Sequence, residues 1–284
     1  NNILEVLAKT KELAQSIRVN PRPILLECMT FRMRGHEEAS GTKYVPQELM
    51  DEWAKKDPIA NFENYLLTNK LISVKDIVKI KDAITDEINE GVKILSVHER
   101  IDVNTSLELG DVYKPHSPLV KEPSEQRIEM RYIDAIQDGL RTAMRKYDNL
   151  VLMGQDIAEY GGVFKITDGF VAEFGVGRVR NTPISEAAPL GAALGLSMMG
   201  KKSMVEMQFA DFVSCGFNQI ANNLAKTYYR WGQNSDVVIR MPTGGGSAAG
   251  PFHSQSNEAW FFHIAGLKIV YPSNPAELSQ ILEL

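Results

Sequence analysis

One carboxylate stands at the head of an otherwise apolar run. It is Glu186 in Thr182-Pro-Ile-Ser-Glu-Ala-Ala-Pro-Leu-Gly191, followed by small and apolar residues as far as Gly200. Ser185 is a plausible N-cap, and Pro183 favours an extended or turn geometry just before it. Glu186 then falls in a first helical turn, where the helix dipole favours its ionised form and burial disfavours it. Two readings are open: a capping carboxylate facing water, or a sequestered acid that hydrogen-bonds a ligand nitrogen. His253, in His253-Ser-Gln-Ser-Asn257, follows a glycine-rich run, Thr243-Gly-Gly-Gly-Ser-Ala-Ala-Gly250. A histidine on such a loop suits proton transfer near neutral pH, the plainer alternative being a surface side chain. The glycine run is a phosphate cradle or a flexible loop. It is neither a Walker loop nor a dinucleotide fingerprint, because no Gly-Lys-Ser/Thr follows and no Gly-x-Gly-x-x-Gly opens a helix. No Gly-x-Ser-x-Gly elbow supports a serine nucleophile. His36, in Arg32-Met-Arg-Gly-His36, lies beside two cations, which fits an anion site or an exposed basic loop. His98, His116 and His263 show no ligand-like spacing, so no metal site is expected.

These residues need elements to position them. The apolar spacing predicts an amphipathic helix over Ile3 to Ile17, a buried strand over Pro23 to Met29, and a loop over Thr30 to Thr42. Helices follow over Pro46 to Lys55, Ile59 to Leu67 and Val74 to Asn89, the last capped by Ser73 with Asp76 three residues on. From about Ile101 to Gln126 periodicity is lost among scattered Asp, Asn, Gly and Pro, as in a linker or extended arm. Beyond them helices and strands alternate: helix Tyr132 to Arg145, strand Leu150 to Gly154, strand Arg178 to Asn181, helix Glu186 to Met199, strand Ser203 to Met207, helix Gly216 to Trp231, strands Val237 to Met241 and Leu267 to Tyr271. The small-residue helix after Glu186 is apolar nearly all round and is expected to be buried. The predicted fold class is α/β, a mostly parallel sheet with helices on both faces, preceded by a helical end-piece. Ligands of such sheets bind beyond the carboxyl ends of the strands, which sets Gln155-Asp156, Glu186, Gln208 to Phe212 and Thr243 to His253 along one edge. The chain would end in a helix from Pro275 to Leu284.

Composition narrows the class. The net charge is -5 with both signs interspersed, so nothing suggests a nucleic-acid surface. No apolar run approaches about 18 residues, which argues against a membrane span. Cys28 and Cys215 sit far apart in apolar contexts and are expected as two buried free thiols. The opening Asn1-Asn-Ile-Leu4 lacks the pattern of a signal peptide and reads like mid-chain sequence, so a piece of a longer protein is expected.

Together these motifs carry a resemblance. Residues 127–284 resemble the β part of the thiamine-diphosphate-dependent decarboxylating component of 2-oxoacid dehydrogenase complexes. The matching runs are Thr182-Pro-Ile-Ser-Glu186, Glu206-Met-Gln-Phe-Ala-Asp-Phe212, Ala225-Lys-Thr-Tyr-Tyr229, His253-Ser-Gln-Ser256 and Gly266-Leu-Lys-Ile-Val270. The Gln-Phe-Ala-Asp and His-Ser-Gln-Ser runs are closer to the branched-chain (2-oxoisovalerate) enzymes than to the pyruvate enzymes. Residues 1–95 resemble the end of the α part, through Glu27-Cys-Met-Thr-Phe-Arg32, Gly35-His36, Trp53 and Asp57-Pro58-Ile59. The implied organisation is an α-type, diphosphate-binding end-piece over 1–95, a linker over 96–126 and a β-type pyrimidine-binding domain over 127–284, the two parts fused in one chain. Two departures stand out: the α and β parts, separate chains in many members, are fused here through about residues 96–126, and no Gly-Asp-Gly diphosphate and magnesium motif occurs; the carboxyl-terminal domain of the β part is not in this sequence either.

The resemblance implies oxidative decarboxylation of a 2-oxoacid, with transfer of the acyl group to the lipoyl group of a partner acyltransferase. The implied cofactors are thiamine diphosphate and Mg2+, the metal ligands lying outside these residues. By matching positions, Glu186 hydrogen-bonds a ring nitrogen of the cofactor's aminopyrimidine. Gln208 contacts the cofactor, and Phe212 stacks near the pyrimidine where branched-chain relatives often carry Tyr. His253 handles protons in the lipoyl step, Arg32 binds the diphosphate, and His36 lines the substrate end. Glu37 stands where regulated relatives carry a phosphorylated Ser, which implies no phospho-switch there. Self-association as a dimer is implied, as is a cytoplasmic location in a bacterium or the mitochondrial matrix in a eukaryote. Two alternatives stand beside this reading: another thiamine enzyme with a different substrate pocket, and a non-catalytic piece that assembles with partner chains.

Overall fold

In the computed structural model, residues 2–37, 39, 41–98, 102–117, 125 and 128–275 are described. The helix expected over 275–284 and much of the segment before 128 lie outside them. The chain divides into two compact units, Asn1–Ile101 and Asp102–Leu284.

The first unit is helical: α1 (Ile3–Val19), α2 (Gln47–Ala54), α3 (Pro58–Thr68) and α4 (Val74–Val97). Local chemistry sets their starts. The Asn2 side chain accepts from the Leu4 and Glu5 amides, and Asp57 caps α3, with Pro58 at its first position. Ser73 and Asp76 form a reciprocal capping box. None of these helices buries a residue. Phe31 stacks on Trp53 at 5.5 Å, and Lys81 pairs with Glu63 to tie α4 to α3. The strand expected over Pro23 to Met29 does not form: the segment is extended, and Leu25 is 96% exposed. A strand needs a neighbour for its amides and carbonyls, and the described residues of this unit hold none. Cys28 is exposed there, not buried.

The second unit opens with a helix inside the segment expected to be structureless, α5 (Thr105–Val112), capped by Asn104 through the Leu107 amide. The eight-residue helix carries no readable stripe, and its partner lies far away in sequence: the Tyr229 hydroxyl donates to Glu108 Oε2. Then come α6 (Tyr132–Lys146), β1 (Leu150–Gly154), α7 (Phe170–Phe174), β2 (Val179–Asn181), α8 (Ala187–Met198), β3 (Lys202–Glu206), α9 (Thr227–Trp231), β4 (Val237–Arg240) and α10 (Ala259–Phe262). The four strands form one parallel sheet in the order β2-β1-β3-β4. Its strands alternate between two cores, as the period of two requires. Leu150, Leu152 and Met204 meet the buried stripe of α6, Leu140, Ala143 and Met144, together with Phe170 of α7. Met153 and Val205 meet Leu190 and Ala193 of α8, with Ile220, Leu224 and Phe261. This is the α/β architecture that the alternating pattern predicts.

Three expected elements differ. Helix α8 buries only one face, through Pro189, Leu190, Ala193 and Ser197, while Met199 just beyond it is 80% exposed. It has a sheet on one side only, and no described element covers the other. The helix expected over Gly216 to Trp231 is broken into a 3-10 segment (Ala210–Gly216), a π segment (Gln219–Leu224) and α9. The i to i+5 bond from the Ala225 amide to the Ile220 carbonyl shows the inserted residue. Leu267 to Tyr271 joins no sheet; the Leu267 carbonyl accepts from the Tyr113 hydroxyl, and Val270 is half exposed. Cys215 also proves exposed; it lies on the outer side of the 3-10 segment, whose buried residues include Val213 and Gly216.

Candidate active site

The strand register lines up the sheet's carboxyl end. Gly154 pairs with both Asn181 and Glu206, and Glu206 pairs with Arg240, so one row crosses all four strands. The chain leaves each strand at this row, and the chemistry-bearing side chains cluster just beyond it, where parallel α/β sheets bind ligands.

Glu186 occupies the N-cap position of α8 and is half-buried, but its side chain does not cap the helix. Ser185 does not cap it either; its hydroxyl donates to the Pro183 carbonyl. The chain bends at Ile184, between the two, and Glu186 occupies the capping position instead. The Glu186 carboxylate receives the Gln155 amide, Nε2 to Oε1 at 3.2 Å. The neighbouring residue, Asp156, takes a left-handed φ of 56°, which Asp tolerates, and its Oδ2 accepts from Gln208 Nε2 at 3.4 Å. The Ala158 amide donates to Asn181 Oδ1 and fastens this loop to β2. Gly162 covers the row from above at φ 77°, where a Cβ would stand 3.3 Å from Glu206 Oε1.

Beyond Gln208 lies a cluster of rings. Phe209 packs edge-on against Phe164, Phe212 and His253 at centroid distances of 5.8, 5.9 and 5.0 Å. Phe212 and His253 are 5.4 Å apart and nearly perpendicular. His253 is half-buried. A continuous set of contacts therefore runs from Glu186 through Gln155, Asp156 and Gln208 to Phe212 and His253. Arg32 and His36 belong to the first unit, where both are exposed and Arg32 Nε donates to the Arg34 carbonyl.

The sequence places Gln155 at this edge without a role; its bond to Glu186 is visible only in the fold. The buried Glu206, its half-buried partner Arg240 and the buried Asp211 were given no role, because one-dimensional patterning does not reveal which charges are covered.

The arrangement fits one end of an aromatic, nitrogen-bearing cofactor. It offers a half-buried carboxylate held by one amide, a second amide in Gln208, and apolar ring walls. Thr182 Oγ1 is buried without a hydrogen-bond partner, on the segment whose amide binds the Gly154 carbonyl. Among the described residues no group of three His, Cys, Asp or Glu could hold a metal ion. No helix among them is long and apolar enough to cross a membrane.

Residues 128–284 match the family model "Transketolase, pyrimidine binding domain", and residues 1–100 match "Dehydrogenase E1 component". The pyruvate dehydrogenase E1 component subunit beta of Leifsonia xyli is 41% identical over 56% of this chain and 48% of that protein. The 2-oxoisovalerate dehydrogenase subunit beta of Bacillus subtilis is 42% identical over 54% of this chain and 48% of that protein. Its mitochondrial counterpart in Dictyostelium discoideum is 40% identical over 57% and 44%. The chain thus spans about half the length of the curated relatives it matches. A solved split-gene transketolase, described as an inactive β4 tetramer, is 21% identical with a TM-score of 0.41 over 53% of this chain and 46% of that one. With the pyrimidine-binding model spanning more than half of its length and the E1 model its first hundred residues, the chain belongs to the thiamine-diphosphate-dependent 2-oxoacid dehydrogenase family.

Proposed function

We propose that this protein takes part in the oxidative decarboxylation of a 2-oxoacid, with acyl transfer to the lipoyl group of a partner acyltransferase. The observation that carries the reading is Glu186, a half-buried acid at a strand end whose carboxylate is held by Gln155 instead of capping its own helix. Thiamine diphosphate supplies the carbanion chemistry when bound. Glu186 holds the hydrogen bond to the pyrimidine nitrogen, and Gln155 orients its carboxylate. Gln208 adds a polar contact, while Phe209 and Phe212 exclude water. His253, beside both rings, moves a proton in the acyl-transfer step. In this reading residues 1–95 are the end of an α-type domain joined through 96–126 to a β-type domain over 127–284. Arg32 meets the diphosphate and His36 the substrate end. Magnesium is held by groups other than those described, and the working form is a dimer. The location is cytoplasmic in a bacterium or the mitochondrial matrix in a eukaryote. The preferred substrates are branched 2-oxoacids, a choice supported by the Gln208-Phe-Ala-Asp211 and His253-Ser-Gln-Ser256 runs.

The test is Glu186→Gln in the full-length protein. Glutamine keeps the side chain's shape, so the unfolding temperature should hold while the rate falls by roughly two to four orders of magnitude, as loss of an acid–base group does. Unchanged turnover would overturn the reading. Saturable binding of thiamine diphosphate with magnesium separates it from a purely structural role. Competition among 2-oxoisovalerate, 4-methyl-2-oxopentanoate and pyruvate decides the substrate. A pocket discriminates one methylene by only about 1–3 kcal/mol, so overlap is expected and the ranking is the readout.

A further inference from the structure

We propose that Asp211 is a positioning residue for His253, holding the loop that carries this histidine against the carboxyl end of the sheet. The inference rests on His253 being the proton-handling group of the proposed reaction.

The loop leaves β4 at Met241 and returns to the same place at Gln255. There it is tied in a knot. The Gln255 carbonyl accepts from Thr243 Oγ1 and from the Gly244 amide, both at 3.0 Å. The Gln255 side-chain amide donates to the Pro251 carbonyl at 2.8 Å. These bonds close the loop on itself but do not anchor it. The anchor comes from the segment after β3. The Gln255 amide donates to Asp211 Oδ1 at 3.2 Å, and Asn257 Nδ2 donates to the Ala210 carbonyl at 2.9 Å. The Ala210 amide in turn donates to the Pro242 carbonyl. Asp211 and Asn257 are 8% and 3% exposed, so both anchors are shielded from water.

His253 lies two residues from the knot. Its ring is kept edge-on to Phe209 and Phe212, which flank Ala210 and Asp211 in sequence. The segment that supplies the aromatic wall therefore also supplies the anchor, and Asp211 fixes the histidine relative to the wall. A buried carboxylate is costly to keep for packing alone. Asp211 touches no reacting group; it acts through the loop.

The experiment compares Asp211→Ala, Asp211→Asn and Thr243→Val in the full-length protein. Hydrogen–deuterium exchange over residues 243–257 is read beside turnover. In D211A, exchange in this loop should rise while β1 and β3 stay protected. The kcat should fall on the order of tenfold to a hundredfold, the cost of misplacing a catalytic group by about 1 Å. The KM for the oxoacid should change little. D211N retains an oxygen acceptor and should recover most of the rate and of the protection. T243V removes one bond of the knot and leaves the anchor, so the same loop should loosen to a smaller degree; if D211A fails to fold, Asp211→Ser, which draws the acceptor back from the Gln255 amide, takes its place. Unchanged loop exchange in the variant that folds would overturn the proposal. So would exchange that rises across the whole sheet, or a loosened loop with full kcat. His253→Ala separates the proposal from the reading beneath it. Full activity in H253A removes that reading and the proposal with it. An inactive H253A beside an ordered, fully active D211A removes the positioning role alone.

Discussion

Arg240→Leu should destabilise the second unit more than most single changes, for a reason visible at the row of strand ends. Glu206 is 4% exposed, and its side chain only 2%. Its partner is Arg240 on the neighbouring strand: Arg240 Nε donates to Glu206 Oε2 at 3.2 Å, and Nη2 lies 2.8 Å from the same oxygen. Nη2 makes no hydrogen bond there, so that second contact is Coulombic. Removing the guanidinium leaves an ionised carboxylate inside the protein, a change that costs about 3–5 kcal/mol when a buried pair is broken. The Arg240 side chain is 17% exposed, so water reaches part of the vacated space and the lower figure, about 3 kcal/mol, is expected. For a unit of this size that corresponds to a melting temperature lower by about 6–12 °C. Urea unfolding followed by tryptophan fluorescence measures the loss, since Trp231 and Trp260 both lie in this unit. The double variant E206L/R240L removes both charges together and should recover most of the stability, because replacing a buried pair by apolar groups is often neutral. A loss below about 1 kcal/mol in R240L, or no recovery in the double variant, would refute the reasoning.

Gly216→Ala tests the packing over the head of α8. A Cβ there would stand 2.4 Å from Leu190 Cδ1, and Leu190 is fully buried, so the expected cost is about 1–3 kcal/mol of overpacking in a thermal melt. Glu173 sets an acid limit. Burial pushes its carboxyl up, but hydrogen bonds from Arg145 and Arg141 outweigh this and hold it below its ordinary value of 4.5. A depressed folded-state value means that its contribution is fully present above that ordinary value and fades as the pH falls below it. The difference in stability between wild type and E173Q should therefore be larger at pH 7 than in acid. A difference independent of pH would count against the pairing.

Much of the fold is legible in one dimension. The stripe Ala135, Gly139, Leu140, Ala143 and Met144 repeats at three and four residues, and α6 buries that set. Ser73 and Asp76 mark a helix start, and their reciprocal bonds are made within four residues. The runs from Leu150, Ser203 and Val237 read as strands and are strands. Equally apolar runs at Pro23 to Met29 and Leu267 to Tyr271 are not, because pairing is a property of a neighbour and not of the run itself. The edge that gathers Glu186, Gln208, Phe212 and His253 follows from each lying just past a strand, a rule of parallel sheets. What these residues touch was not legible.

The sequence by itself determined the local facts: where helices begin, which faces are apolar, and which polar residues follow strands. Tertiary structure alone decided the rest. Gln155 reaches Glu186 across 31 residues, Arg240 reaches Glu206 across 34, and Gln255 reaches Asp211 across 44. Such bonds join groups that no local rule relates, and they form because the parallel register stacks the strand ends in one row. Burial is decided in the same way. Asp211 and Glu206 look like any surface acids in the chain, and Cys28 and Cys215 look like core thiols. The acids are covered and the thiols are not, because packing of distant segments governs access to water more than the character of a residue's immediate neighbours does.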